Sequence, residues 1–342
     1  SLHDALPISP QSADYRQLMA ARDRYRALVA MGGWGTIPAG KPPVLDAEDA
    51  QVPALRARLA AEGYVAQGGD SLVFDADLQQ GLIEYQRRNG LEPDGKLGPE
   101  SRRALNMSAA ERLTQIEVNL ERRRWLPARL PDARLDVDVA RAEATLYEAG
   151  QPELGMRIVV GAPKTKTPLF ASRLETVVFN PPWNVPDSIA TGEILPRAAR
   201  NPGYLAANDY VWVNGRLQQK PGEKNALGQI KFDLPSPFGV YLHDTPGKSA
   251  FSRRVRALSH GCMRLEKPHE LAEVLLGRQG WSALDIQASI DAGVTRRVDL
   301  KTPVPLYVTY TTAFVDETGA LRFVPDVYGW DAKLAAALAA AR

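Results

Sequence analysis

Cys262 is the only cysteine among 342 residues, and it stands in the stretch Ser259-His260-Gly261-Cys262-Met263-Arg264. Two of the four histidines, His260 and His243, precede it closely in the chain. A thiol with an imidazole is the smallest set of side chains that yields a thiolate near neutral pH, because the free thiol pKa of roughly 8.5 falls beside an imidazolium or a helix N-terminus. Gly261 removes a side chain next to the sulfur, so a substrate carbonyl can approach the backbone there. A lone cysteine in an arbitrary chain is more often a small buried hydrophobe. The residues around this one instead point to an acyl-transfer nucleophile.

The elements that must position it follow from periodicity. From Leu135 the apolar residues alternate: Leu135, Val137 and Val139 against Asp136 and Asp138, which predicts a strand. Further strands are predicted at 144–148, 156–160, 176–180, 230–234, 239–243, 306–312 and 322–324, with one helix near 268–277. This is a mostly-β domain over 134–325. Within it, residues 181–229 do not alternate and are rich in Pro, Gly and Asn; so long a non-strand insertion is expected to be a lid or binding loop.

Upstream, the three-or-four spacing of Tyr15, Leu18, Met19, Arg22, Tyr25, Leu28 and Val29 predicts a helix over 12–31, and Gly32-Gly33 stops it. Residues 32–47 read as a linker with Trp34 and Ile37 as anchors, so 1–47 form an N-terminal helix and linker. Residues 48–106 read as three helices, near 50–62, near 75–89 with Asp75 as N-cap, and from Pro99. A connecting helix is expected over 109–127, within a connector of 107–133, its Arg122-Arg123-Arg124 cluster on a solvated face. Residues 326–342 are read as a tail.

Composition bounds the partners. Net charge is +2 from 42 basic and 40 acidic residues, which gives no electrostatic case for nucleic acid. No apolar run approaches the ~20 residues a membrane-spanning helix needs. One cysteine rules out an internal disulfide and says nothing firm about compartment. The chain opens on Ser1 with no basic stretch before an apolar run, which reads as a targeting segment already removed or as a fragment; Ser1 to Ile8 fit no pattern downstream. His243, His260 and Cys262 would supply three zinc ligands, but no fourth lies nearby in sequence and a metal would quench the nucleophile. No metal and no cofactor is expected.

Two resemblances sharpen this. Tyr85-Gln86, Gly90-Leu91, Asp94-Gly95, Gly98-Pro99, Ser101 and Ala104-Leu105-Asn106 resemble the three-helix peptidoglycan-binding domain of bacterial wall enzymes. Tyr85 and Leu91 are read as core rather than sugar contacts. Tyr241-Leu242-His243-Asp244-Thr245 followed by Ser259 to Arg264, with Gly161-Ala162-Pro163, Thr165 to Pro168 and Asn180 to Pro186, is similar to the signature of the L,D-transpeptidase (YkuD) family. The arrangement resembles the large periplasmic enzymes of Gram-negative bacteria. The fold class implied is multidomain α+β: a small three-helix unit beside a mostly-β catalytic domain with an inserted lid.

The resemblance implies peptidoglycan stem peptides and glycan as partners, possible association with other wall-synthesis enzymes, and a periplasmic location. It implies attack by Cys262 on a tetrapeptide stem, loss of D-alanine, and transfer of the acyl group to an acceptor amine as a 3→3 cross-link. A hydrolase on the same site, or a wall-binding protein with a relic site, are the alternatives. Within this reading His243 is the base, since imidazole titrates near about 6.5. The N–H groups of Gly261 and Cys262 are the oxyanion donors, with Tyr241 a further donor on the face of His243. His260 either orients the loop, polarises the thiol or is structural. Arg264 either binds a stem carboxylate or braces the loop, many family members carrying Asn at this position. Asp244 either raises the imidazole pKa or caps the strand end. Trp183 is a substrate platform or a hinge anchor of the lid, and Ser259 is placed on the substrate side. No role is assigned to His3 and His269.

Overall fold

The computed structural model describes residues 12–341; Ser1 to Ile8 and His3 lie outside the described residues. The chain divides into two compact units, one formed by the first 130 residues together with Tyr310–Arg342, the other by Pro131–Thr309.

In the first unit, α1 (Ala13–Ala30) buries Tyr15, Leu18, Ala21 and Tyr25, the three-or-four spacing expected of one helix face. Helices α2 (Val52–Ala61), α3 (Ala76–Arg88) and α4 (Pro99–Leu105) close around Leu55, Leu59, Leu78, Leu82, Tyr85 and Leu105, with Ile37 inserted from the linker. Asp75 caps α3 by accepting the Leu78 N–H at 2.8 Å. Trp34 anchors the linker by donating its indole N–H to the Met107 carbonyl at 2.9 Å. The motif between α3 and α4 is held by buried Gln86, which accepts the Gly95 N–H at 2.8 Å and donates to Lys96 O and Ser101 Oγ at 3.0 and 2.9 Å. Those signature residues therefore build the turn itself.

Helix α5 (Ala109–Arg124) opens with a capping box from Ser108 and Glu111. It is more than a connector, since Ile116 and Leu120 pack with Tyr15, Tyr25, Ala313 and Phe323 in one buried cluster. The expected solvated arginine face is corrected accordingly: Arg122 is buried and pairs with Asp331 at 2.5 Å, and Arg123 pairs with Asp14. The boundary expected at 325 moves as well. Gln115 and Asn119 of α5 donate to Thr312 O and Oγ1 at 3.0 and 2.7 Å, so the hairpin of strands Ala313–Val315 and Leu321–Phe323 belongs with the helices. The segment read as a tail contains a helix, Trp330–Ala340.

The second unit is built on β1 (Arg134–Asp138), β2 (Glu143–Glu148), β3 (Gln151–Gly161), β4 (Phe170–Phe179), β5 (Trp183–Asn184), β6 (Tyr210–Val213), β7 (Arg216–Gln219), β8 (Ile230–Asp233), β9 (Leu242–His243), β10 (Ala257–Ser259), β11 (Met263–Leu265) and β12 (Arg296–Thr309). The main sheet runs β10-β3-β11-β9-β8-β4-β12-β1-β2, and β2 also pairs with β3, so the sheet closes on itself. Closure leaves β10 as the added strand and removes the open edges that invite aberrant pairing. Leu135, Val137, Leu146, Ile158, Phe232, Leu242, Met263, Leu265 and Leu306 are buried in this unit. The helix expected near 268–277 is Pro268–Gly277, burying Leu271, Leu275 and Leu276. A second helix, Ala283–Asp291, was not expected, and β12 begins well before residue 306.

The insertion 181–229 is more ordered than its composition suggests. It holds a small sheet, β5-β7-β6, a short helical run from Asp187 to Arg200, and its own core of Val185, Ala190, Ile194 and Leu217. Strands of two to four residues are too short to show an alternation.

Candidate active site

The site is assembled where β8, β9 and β11 lie side by side. Register pairs Lys231 with His243 across the antiparallel β8–β9 ladder, and His243 with Arg264 across the parallel β9–β11 ladder. Three polar side chains thus stand in one row, and Cys262 immediately precedes β11 at its end. Tyr241, two residues before His243, brings its ring edge-on to the imidazole with centroids 5.6 Å apart, the shared face that the spacing predicts.

Cys262 is partly exposed. Burial pushes its thiol pKa up, and four influences oppose that: hydrogen bonds from the Tyr241 backbone N–H and from the Tyr241 hydroxyl, then the charges of Lys231 and Arg264. The Tyr241 pKa is raised, first by burial and then by the neighbouring Cys262, while the Trp183 indole N–H donates to its oxygen. A chain of donors therefore runs from Trp183 to Tyr241 to the sulfur.

His243 is buried. Its pKa is lowered to about 4, chiefly by desolvation and further by Arg264 and Lys231. Its Nδ1–H donates to the Asp244 carbonyl at 2.5 Å, which fixes the neutral tautomer and leaves Nε2 for proton transfer. Lys231 places Nζ 4.3 Å from the centre of the Tyr241 ring and pairs with Asp233 at 2.6 Å. Burial lowers the Arg264 pKa, and its Nε is buried with no hydrogen-bond partner among the described residues.

Four residues expected in the site have other partners. Ser259 is buried and donates to the Cys262 carbonyl at 2.6 Å, while accepting the Gly261 N–H at 3.1 Å. It braces the loop that carries Cys262, and it engages the Gly261 amide that was expected to face an oxyanion. Gly261 is needed for its backbone, at φ +118°, since a Cβ there would meet nothing closer than 3.8 Å. Asp244 is buried; its carboxylate accepts the Gln229 N–H at 2.9 Å and the Lys248 ammonium, fastening the end of the lid rather than facing substrate. His260 is exposed and donates from Nε2 to Glu193 Oε1 of the lid at 2.6 Å. His269, given no role from sequence, hydrogen-bonds Gln229 Oε1 at 3.0 Å.

Sequence reasoning missed Lys231 and Glu193, both ordinary surface types with no motif around them. It named Thr165 and Thr167 only as parts of a resemblance. Their hydroxyls donate to Ser259 O and Gly261 O, each at 2.8 Å, and hold the loop from β3's side.

Comparison with known proteins matches two regions of the chain to described families. Residues 132–305 match the YkuD family, described as the L,D-transpeptidase catalytic domain, and residues 48–105 match the family described as "Putative peptidoglycan binding domain". A curated relative, "Putative L,D-transpeptidase" of Haemophilus influenzae, is 32% identical over 219 residues, 58% of this chain and 44% of that protein. The chain thus spans less than half the length of that relative. Among solved structures, L,D-transpeptidase 3 from Mycobacterium tuberculosis with a faropenem-derived adduct is 14% identical over 52% of this chain and 60% of that one, with a TM-score of 0.29. The E. faecium L,D-transpeptidase catalytic domain acylated by ertapenem is 15% identical over 53% of this chain and 98% of that one, with a TM-score of 0.30.

Proposed function

The chain belongs to the L,D-transpeptidase (YkuD) family, whose catalytic domain matches residues 132–305, and from that premise we propose that it cross-links peptidoglycan stems in the periplasm through a thioester on Cys262. The observation that carries this reading is the sulfur itself, which receives the Tyr241 N–H and O–H beside two cations. Those are the groups a thiolate needs when burial opposes its charge.

The resting pair is a neutral thiol and a neutral imidazole, since burial raises the one and lowers the other. The Cys262 proton passes to His243 Nε2 as Sγ bonds to the carbonyl carbon of the third stem residue. The Cys262 N–H and the Tyr241 hydroxyl stabilise the oxyanion. The bond to D-alanine breaks, and His243 returns the proton to the departing amine. The acceptor's side-chain amine then attacks the thioester, loses a proton to His243, and the thiol is regenerated. Arg264, with its buried unpartnered Nε, is suited to a stem carboxylate. The lid, closed over the loop, disfavours water as the competing acceptor. The unit over 48–105 is read as holding the enzyme on its polymeric substrate.

The first experiment is intact-mass analysis after incubation with a carbapenem, beside Cys262→Ala, followed by incubation with a disaccharide-tetrapeptide. The expected result is a single adduct lost in the variant, and a 3→3-linked dimer. A titratable Cys262 with no dimer sinks the transpeptidase; tripeptide as the sole product would make the enzyme a hydrolase.

A further inference from the structure

Besides its Asp244 anchor at Gln229, the lid reaches the residues around Cys262 through two side chains. One is the Trp183 indole on the Tyr241 hydroxyl. The other is Glu193, whose Oε1 accepts from His260 Nε2–H of the loop that carries Cys262 at 2.6 Å. The loop backbone does not depend on this second bond, because Ser259, Thr165 and Thr167 already hold it from within. The His260 side chain instead gives the loop a handle that the lid reaches.

Glu193 occupies Ala190–Ile194, where the helical run widens into π geometry. Such widened turns recur at functional sites. Arg197, one turn on, lies 3.9 Å from the other carboxylate oxygen and helps to orient the group. The two side chains of the bond remain 46% and 40% exposed. A pair this exposed shifts an equilibrium only a few-fold, which suits a latch that must release product more than a permanent lock.

We propose that Glu193 is a positioning residue that holds the lid shut on the acyl-enzyme through His260, and thereby sets the partition of the thioester between an amine acceptor and water. The partition rests on the transpeptidase reading; the latch itself does not. With the lid latched, bulk water reaches the thioester carbonyl less often, and the amine of a bound acceptor is favoured. With the latch broken, hydroxide or water forms the C–O bond, the C–S bond breaks, and the stem leaves as a tripeptide acid.

The test compares the full chain with Glu193→Ala and Glu193→Gln. Carbapenem adduct formation reports the thiol in each. The ratio of tripeptide to dimer from disaccharide-tetrapeptide reports the partition, and amide hydrogen exchange over 187–200 reports the latch. Glu193→Ala is expected to raise the ratio and the exchange a few-fold, and Glu193→Gln, whose amide oxygen still accepts from His260, to restore most of both. A merely structural loss would lower adduct formation without moving the ratio. An unchanged ratio and exchange in Glu193→Ala, or a glutamine variant no better than alanine, overturns the proposal. Wild type that forms neither adduct nor dimer would sink the transpeptidase reading, and hydrogen exchange alone would then decide whether the latch stands.

Discussion

His243 is flanked in its row by Lys231 and Arg264, and this arrangement dictates how its imidazole responds to pH. The imidazole pKa falls from 6.5 to about 4, so the ring stays neutral through mildly acid conditions. The acid limb of Cys262 acylation is accordingly expected near pH 4 to 5, well below an unperturbed imidazole, and a limb near pH 6.5 would contradict it. Stability follows the same linkage. Between the two values the unfolded chain binds the extra proton, so stability declines as pH falls from about 6.5 toward about 4, by on the order of 3 kcal/mol for this residue. Denaturant titrations at several pH values should show that decline in wild type and its absence in His243→Gln. Tyr241 offers a second test. Tyr241→Phe removes the hydroxyl from the sulfur while keeping the ring, and a hydrogen bond to a charged group of this kind is worth roughly 1.5 to 3 kcal/mol. Carbapenem acylation is expected to slow by about tenfold or more, with the melting temperature little changed. Cys262 and His243 stood out as candidates because few side chains do nucleophilic chemistry. Lys231 was not, because only strand register brings it beside the imidazole.

At the scale of elements, the lid's return to the sheet depends on one buried carboxylate. Asp244 accepts the Gln229 N–H, and Gly228, just before it, packs against that carboxylate so closely that a Cβ would stand 2.3 Å from Oδ2. Gly228 also has φ +63°, a conformation that costs a residue with a side chain about 1 kcal/mol or more. Gly228→Ala is therefore expected to destabilise the β unit by about 2 kcal/mol or more and to raise hydrogen exchange across the lid's C-terminal end. A variant as stable as wild type would mean that Asp244 does not anchor the lid. The helices of the first unit were readable because a single face repeats every three or four residues. The lid's small sheet was not, because its strands are short and their partners lie up to thirty-odd residues apart, as in the pairing of Trp183 with Gln219.

For the whole molecule, the least expected feature is that the last residues belong with the first. The family match ends at residue 305, yet Phe323 and Ala313 complete the core of Tyr15, Tyr25 and Ile116, and Asp331 partners buried Arg122. Truncation after Thr309 removes an aromatic core residue and strands a buried cation, each worth several kcal/mol. Limited proteolysis is expected to cut the truncated chain within α1 to α5 while the full chain resists; equal resistance would show the C-terminal segment to be dispensable.

The sequence by itself determined the helical and β character of the two regions and the family, and it singled out Cys262 and His243 as candidates. These depend on residue type and local period, which are written along the chain. Tertiary structure alone decided which groups face the sulfur. It turned Ser259, Asp244 and His260 to bracing and fastening, brought Lys231 and Glu193 to the site, and returned residues 310–341 to the N-terminal helices. Each of those outcomes depends on strand register or long-range packing, and neither leaves a period in the sequence.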